Sequence, residues 1–470
     1  MGYRWFFLWM IITHTVLGQG ITKELEHEIN RRVELEINPS ISIGVLWPDG
    51  STKYYNYGSF DTSNKQPDSL TLYEIGSVTK TFTATLTNIH LKEELNQPIS
   101  DFLPQAKLGK ITVADLRNHV AGVPRLSAQF APQNWSDPFK GYSNEILMEE
   151  LKNLELDTSK IWRYSNLGYS MLGRTIEIAA KQPLDTLMGN LLDEVGMKNT
   201  WIEHTTHVPM QLAQPTNMGT TNSYWHFTGP SRYAGGLISN TNDLLRYLQF
   251  QKQTNPLFKT ISANVLIPTA VDQLGKDQLF YKDGWFVLQP DSITNILLHN
   301  GGTGGFISFV GYNVQTKMGV VVLSNSVNMV DDIGLHIIYP SFKLTKPQRT
   351  IAFELADAID AAKSNNLVGK YHRLQKVDYP DNIIDIYWLE RFHFGQGNYD
   401  ISRQLSTIMA QVLPEDWEVY DIQGQNLEQL NKYKKAAKAY QKALALNPNH
   451  PSLKEKIEAC LQKQKSRKAK

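Results

Sequence analysis

A chain of 470 residues is long enough for two to four domains and a large core, so a single small module is excluded. Its make-up, 41% hydrophobic and 20% charged, is that of an ordinary globular protein, and 47 Lys and Arg against 46 Asp and Glu leave a formal charge of +1, with no global field to attract nucleic acid. The one cysteine, Cys460, excludes an intrachain disulfide, a Cys-rich zinc site and a dithiol redox centre.

The first residues set Arg4 ahead of an apolar stretch from Trp5 to Ile12 and end in small residues around Val16 and Gly18. This is the layout of a signal peptide over 1–18, with an apolar part shorter than the roughly 18 to 20 residues that cross a bilayer. The expectation is an exported protein, periplasmic or secreted, with no stable membrane span after cleavage. Residues 21–37 then carry apolar side chains at helical spacing. Residues 40–47 and 54–57 read as a strand and a returning strand joined at Pro48-Asp49-Gly50. The middle is helix-rich: 77–91, 144–154, 165–180 and 240–251 have Ser, Asn, Asp or Thr at or near their starts. Three more short strands are predicted at 296–299, 305–312 and 318–324, with a turn over 313–317. Strands at both ends of a helical middle predict an α+β domain over 21–343, its antiparallel sheet built from chain-distant segments and flanked by helices.

From residue 351 onward the pattern is helical, with Ala, Leu, Lys and Tyr prominent over 432–446. An offset of about 34 residues pairs Tyr399 with Tyr433, Val412 with Leu446 and Pro414 with Pro448, the period of tetratricopeptide helix hairpins. Residues 351–470 are therefore expected to be an all-α, repeat-like region. Its best copy, 417–450, has Gly424, Ala436, Tyr440, Ala443 and Pro448 at the glycine, small, aromatic and terminal-proline positions. Such a region is a candidate docking site for a protein partner; the alternative is a helical tail packed on the main domain.

The chemistry centres on Ser77-Val78-Thr79-Lys80. Residues three apart share a helix face, so the Lys80 amine can reach the Ser77 hydroxyl. A serine hydroxyl needs an adjacent base to become a nucleophile, and a lysine desolvated in a pocket can serve as one. Tyr164-Ser165-Asn166 opens a second helix; near a lysine ammonium its phenol can be held as phenolate and take the serine proton, and its amide can orient lysine and substrate. The same Tyr-x-Asn spacing occurs at Tyr54 and Tyr142, but only Tyr164 precedes a glycine-spaced helix. The third element, His299-Asn300-Gly301-Gly302-Thr303-Gly304-Gly305, follows an apolar strand, and its glycines let a backbone N–H complete an oxyanion hole with the Ser77 amide. It lacks the Lys-Ser or Lys-Thr ending of a phosphate-binding loop. No metal is expected: His204 and His207 lie in a polar stretch without the pattern that would aim both at one ion. No cofactor is expected either.

In this order and at these separations, the three motifs resemble those of the serine beta-lactamase and penicillin-binding-protein superfamily, most closely its class C beta-lactamase-like hydrolase and esterase branch. Residues 111–124, ending in Gly122-Val123-Pro124, and Ala234-Gly235-Gly236 resemble secondary motifs of that family. The resemblance implies an antiparallel sheet with an inserted helical subdomain and an acyl-enzyme on Ser77. It also implies proton handling by Lys80 and Tyr164, ligand orientation by Asn166, and an oxyanion hole from the Ser77 and Gly302 amides, with His299 and Gly301 beside the substrate. Where beta-lactamases carry Lys-Thr-Gly, this chain has His299-Asn300-Gly301. Histidine is mostly neutral near pH 7, so esterase or D-amino-acid peptidase activity on a small-molecule or peptide substrate ranks above antibiotic hydrolysis. Val120 and Ala121 replace a common Thr and Ser, which argues against chemistry in 111–124. The competing expectation is a catalytically idle sensor of cell-wall fragments that recruits a partner through its helical tail.

Overall fold

The computed structural model describes residues 20–469 except 105–107, 128–129, 131, 133, 153, 158, 203–210, 270–277, 449 and 451. The leader over 1–18 and the His204 and His207 pair lie outside the described residues. Eight strands form one antiparallel sheet: β1 (Ser40–Leu46), β2 (Thr52–Gly58), β3 (Ile267–Pro268), β4 (Leu279–Lys282), β5 (Trp285–Leu288), β6 (Ile296–Gly302), β7 (Ile307–Asn313) and β8 (Gly319–Ser324). Their spatial order is β2-β1-β8-β7-β6-β5-β4-β3. The amino-terminal hairpin thus pairs with the last strand, Ile41 opposite Ser324 and Leu46 opposite Gly319. Non-local closure of this kind joins the two chain ends of the domain around its helical middle, as the α+β reading expects.

Both sheet faces are covered, which is why β1, β7 and β8 are buried at every residue instead of alternating. On one face pack the helices Thr79–His90, Asn166–Ala180 and Thr241–Thr254, with Phe82, Leu172, Leu244 and Val321 in a common core. Lys23–Glu34 and Asp331–Ile338 cover the other through Ile29, Ile43, Phe309 and Ile333. Caps set the helix starts: the Ser165 hydroxyl accepts from Gly168 N at 2.7 Å, and Asn240 Oδ1 accepts from Asp243 N at 2.9 Å. Buried Arg32 ties the first helix to the last one in the domain by donating to Asp332 at 2.6 Å, while it also donates to Glu28 at 2.9 Å.

Two sequence expectations need correction here. The sheet gains β3, β4 and β5, two to four residues each, too short to show a period above noise. The first half of the glycine-rich stretch expected to be a loop is instead the end of β6, with Asn300 paired to Phe309 and Gly301 to Ser308, and only Thr303-Gly304-Gly305 turns away beyond it.

After residue 350 the chain is helical. Helices Ile383–Gly395 and Trp417–Gln429 begin 34 residues apart (383 to 417), as do Tyr399–Val412 and Tyr433–Leu446 (399 to 433). The predicted period is therefore realised as two helix hairpins in register. Gly424 is needed because a Cβ there would overlap the Tyr440 ring, and Ala436, Tyr440 and Ala443 are buried beneath it. This unit has its own core, which extends onto Ile37 and Met218 of the sheet domain.

Candidate active site

Ser77 sits in a single 3-10 turn, Gly76–Val78, that leads into the helix Thr79–His90. The helix thus begins two residues later than its sequence pattern suggests, and the nucleophile stands at its mouth. Lys80, one turn on, is wholly buried; its Nζ lies 3.0 Å from Ser77 Oγ and donates to the Ala234 carbonyl at 2.6 Å. Ala234 belongs to the Ala-Gly-Gly stretch singled out in the sequence, held to the Ser77 helix because Thr83 Oγ1 donates to the Tyr233 carbonyl at 2.7 Å. Burial, followed by the charge of Arg125, holds the Lys80 amine well below its usual range. The amine is therefore poised to accept a proton from Ser77.

Tyr164 arrives from the segment before the helix Asn166–Ala180 and shares a hydrogen bond with the Ser77 hydroxyl. Its ring lies 4.9 Å from Lys80 Nζ. Burial pushes the phenol up to about 12, outweighing that hydrogen bond and the nearby Arg125 charge. At neutral pH it is therefore a neutral phenol, contrary to the phenolate expected from the sequence. Asn166 lines the same cleft, and its Oδ1 is buried without a hydrogen-bond partner, free to accept a substrate N–H.

The end of β6 completes the arrangement. Gly76, at φ +47°, is so near that strand that a Cβ on it would stand 2.8 Å from both the N and O of Gly302. A Cβ on Gly301 would collide with the Ile75 carbonyl and stand 2.7 Å from Ser77 N. Glycine in a strand at this point permits the close approach of the Ser77 turn to the end of β6. Ser77, Asn166, Gly301 and Gly302 all line the cleft.

His299 does not occupy the position expected of it. It is fully buried behind Tyr164 and Phe286, its ring centres 6.3 Å and 5.3 Å from theirs. Its Nδ1–H donates to the Asn300 carbonyl at 2.7 Å, and burial, aided by the Lys80 charge, pushes the imidazole down to about 3. It is a neutral packing residue beside the site, not a wall of the cleft. The rejected Tyr-x-Asn copies are also resolved. Tyr54 in β2 donates to Asn242 Oδ1 at 3.0 Å, an ordinary sheet role. Tyr142, expected in a polar loop, is instead buried and donates to Glu150 Oε2.

Three contributors were not singled out in the sequence. His119 (φ +59°) accepts from Ser165 N through Nδ1 at 3.2 Å and packs 4.6 Å from the Tyr164 ring, so the 111–124 stretch positions the phenol although it supplies no reacting atom. Arg125, exposed just beyond that stretch, sets its guanidinium 5.4 Å from the Tyr164 ring and puts a permanent cation on the cleft. Asp331 starts the helix Asp331–Ile338 and accepts from Asn300 Nδ2 at 2.7 Å, and burial followed by the charge of Asp332 pushes it up to about 7. His119 and Arg125 flank the Gly122-Val123-Pro124 turn, a signal that could have found them; Asp331 is an ordinary acidic residue until the fold brings it to Asn300.

The cleft around Ser77 encloses about 850 Å³ and is rich in aromatic side chains, among them Phe139, Trp162, Trp225 and Phe286. Among the described residues no cluster of three or more His, Cys, Asp or Glu could hold a metal, and no helix is long and apolar enough to cross a membrane.

Comparison with known proteins matches both regions of the chain. Residues 39–336 match the Beta-lactamase family model, and 417–450 match a tetratricopeptide repeat. A beta-lactamase of Providencia stuartii is 30% identical over 352 residues, covering 64% of this chain and 86% of that protein. The octameric penicillin-binding protein homologue from Pyrococcus abyssi shares the fold, with a TM-score of 0.59 at 20% identity over 72% of this chain and 81% of that one. So does a beta-lactamase/D-alanine carboxypeptidase from Pseudomonas syringae, with a TM-score of 0.52 at 20% identity over 68% and 98% of the two chains.

Proposed function

We propose, from the premise that this chain belongs to the beta-lactamase family, that it cleaves an ester or amide through an acyl-enzyme on Ser77, preferring esters or D-amino-acid peptides to antibiotics. The observation that carries this reading is the buried Lys80 amine, held well below its usual range, 3.0 Å from the Ser77 hydroxyl, in a turn that packs closely on the end of β6. Ser77 Oγ bonds to the scissile carbonyl carbon while its proton passes to Lys80. The carbonyl oxygen takes the developing negative charge toward the two amides. As the tetrahedral species collapses, the bond to the leaving oxygen or nitrogen breaks, and that atom receives a proton from the Lys80 and Tyr164 pair. Water then attacks the acyl carbon and gives its proton to the same pair; the bond from that carbon to Ser77 Oγ breaks, Oγ takes the proton back, and the acid leaves.

The ranking of substrates rests on His299. A neutral, enclosed imidazole stands where a lysine cation would hold an antibiotic carboxylate. Turnover of a short-chain 4-nitrophenyl ester, a D-Ala-D-Ala peptide and a chromogenic cephalosporin by the purified protein tests the ranking. The ester or the peptide should be fastest. A cephalosporin cleaved faster than either would reverse the order, and binding without turnover of any would favour the idle sensor.

Gly301→Ala should lower kcat on the best of these substrates about 10²- to 10³-fold, because the added methyl pushes β6 away from Ser77 and opens the oxyanion pair. An unchanged kcat would show that the Gly302 amide takes no part. Export by the leader over 1–18 belongs to the same proposal; amino-terminal sequencing of protein recovered outside the cytoplasm checks it, and a mature chain that starts at Met1 would refute it. The tetratricopeptide repeat is a module type suited to protein binding, and a protein partner for it completes the reading.

A further inference from the structure

The cleft that opens on Ser77 is not closed by the sheet domain alone. Tyr387, Trp388, Arg391 and Phe392 line it as well, and all four belong to the helix Ile383–Gly395, the first helix of the earlier hairpin. The contact is built, not incidental. Gln396 Nε2, directly after this helix, donates to Ser136 Oγ at 3.3 Å and to Ser223 Oγ at 3.1 Å on the rim of the sheet domain. Gly395 fits so closely that a Cβ would stand 2.6 Å from Ser136 N, and the Arg391 guanidinium lies 5.4 Å from the Trp135 ring.

The helix is braced from behind by the tetratricopeptide repeat. Buried Glu390 pairs with Arg391 and accepts from Asn426 Nδ2 at 2.6 Å, while Arg391 donates to Gln425 Oε1 at 3.1 Å. Gln425 and Asn426 lie on Trp417–Gln429, inside the matched repeat. The charges of Glu390 and Arg391 are thus consumed between themselves, which leaves the rings as what this wall offers a ligand. Phe139, which also lines the cleft, stacks on Phe227 with centres 4.6 Å apart.

The geometry points to a specificity role for the appended helix: it is the second wall of the substrate cleft and selects esters or amides that carry a bulky apolar group, an aromatic ring or a medium-length alkyl chain. This rests on Ser77 being the nucleophile of the proposed hydrolysis. A cleft of about 850 Å³ is far larger than an acetyl group requires and falls in the range that encloses most of a drug-sized ligand. An apolar group placed among the rings that line the cleft leaves water, whereas a small polar substrate leaves them wet.

Trp388 is the residue to test, because it is 40% exposed and its truncation opens no core. The full chain should cleave 4-nitrophenyl octanoate with a kcat/KM about 10- to 100-fold above the acetate, or 2-naphthyl acetate by a similar margin above phenyl acetate. Trp388→Ala should reduce at least one of these ratios about tenfold, mainly through KM, and Trp388→Tyr should restore much of it. A ratio equal in wild type and Trp388→Ala in both series would overturn the inference while leaving hydrolysis intact. Absence of turnover on every ester, with no acyl adduct on Ser77 by intact mass, would defeat the parent reading instead. Retained melting temperature in Trp388→Ala accompanies the expected result; a collapse of folding shifts the test to Phe392→Leu, for which the same lowered ratio is expected and an unchanged one is fatal.

Discussion

Ser77→Ala is expected to abolish labelling by a covalent serine-directed probe and to reduce kcat on the preferred ester or peptide by about 10⁵-fold. The magnitude follows from the roles of the three groups. Without Oγ no acyl bond can form, and Lys80 and Tyr164 have no proton to manage. What survives is the stabilisation the two amides offer to direct attack by water, a small residue of the whole effect. Folding should be spared, because Ser77 is only partly buried and Lys80 keeps its hydrogen bond to the Ala234 carbonyl. Labelling that persists in the variant would place the nucleophile elsewhere.

Lys80→Met should cost about 10³- to 10⁴-fold in kcat while the protein remains folded. Methionine nearly matches the length of the lysine stem and needs no charge to be stripped of water, so it fills the space the amine vacates. The pH dependence gives the sign of the effect. Burial lowers the amine in the folded chain, whereas the unfolded chain keeps it near 10.5 and so binds more protons between the two values. The penalty of holding Lys80 in the core is greatest below its folded value and is lost as pH rises past the unfolded one. The melting temperature of Lys80→Met should therefore stand furthest above wild type at the acid end of the range, and the difference should shrink steadily toward pH 10. A gap that widens with pH would contradict a neutral buried amine.

In the wild type, kcat/KM should fall on the acid side as Lys80 becomes protonated. His299, pushed down to about 3, and Tyr164, pushed up to about 12, contribute no inflection between pH 5 and 10. Asp331, pushed up to about 7, adds a second inflection there only if it is felt at the site, and that inflection, unlike the one from Lys80, should vanish in Asp331→Asn. Its disappearance in His299→Gln would instead return the histidine to the chemistry.

The reacting groups were legible because their spacing is local. Ser77 and Lys80 are three residues apart, so one helical turn joins them whatever the rest of the chain does. Tyr164 was recoverable from the helix it precedes, and the repeat from a period of 34 that the helix pairs obey. The role of His299 was misplaced for a physical reason. A histidine in front of glycines looks exposed, but β6 continues through those glycines and seals the ring behind Tyr164 and Phe286. His119 and Arg125 were passed over because they touch Tyr164 only after a chain separation of about 40 residues is closed.

The order of elements, the nucleophile with its amine, and the helical period of the last hundred residues were determined by the sequence itself, since each depends on neighbours within a few turns. Tertiary structure alone decided the protonation states and the shape of the cleft. Desolvation of Lys80 requires contact with Ala234, some 150 residues away, and the aromatic wall at Trp388 exists only because a distant helix docks against the rim at Ser136 and Ser223. Burial is a property of the assembled surface, which no local spacing encodes.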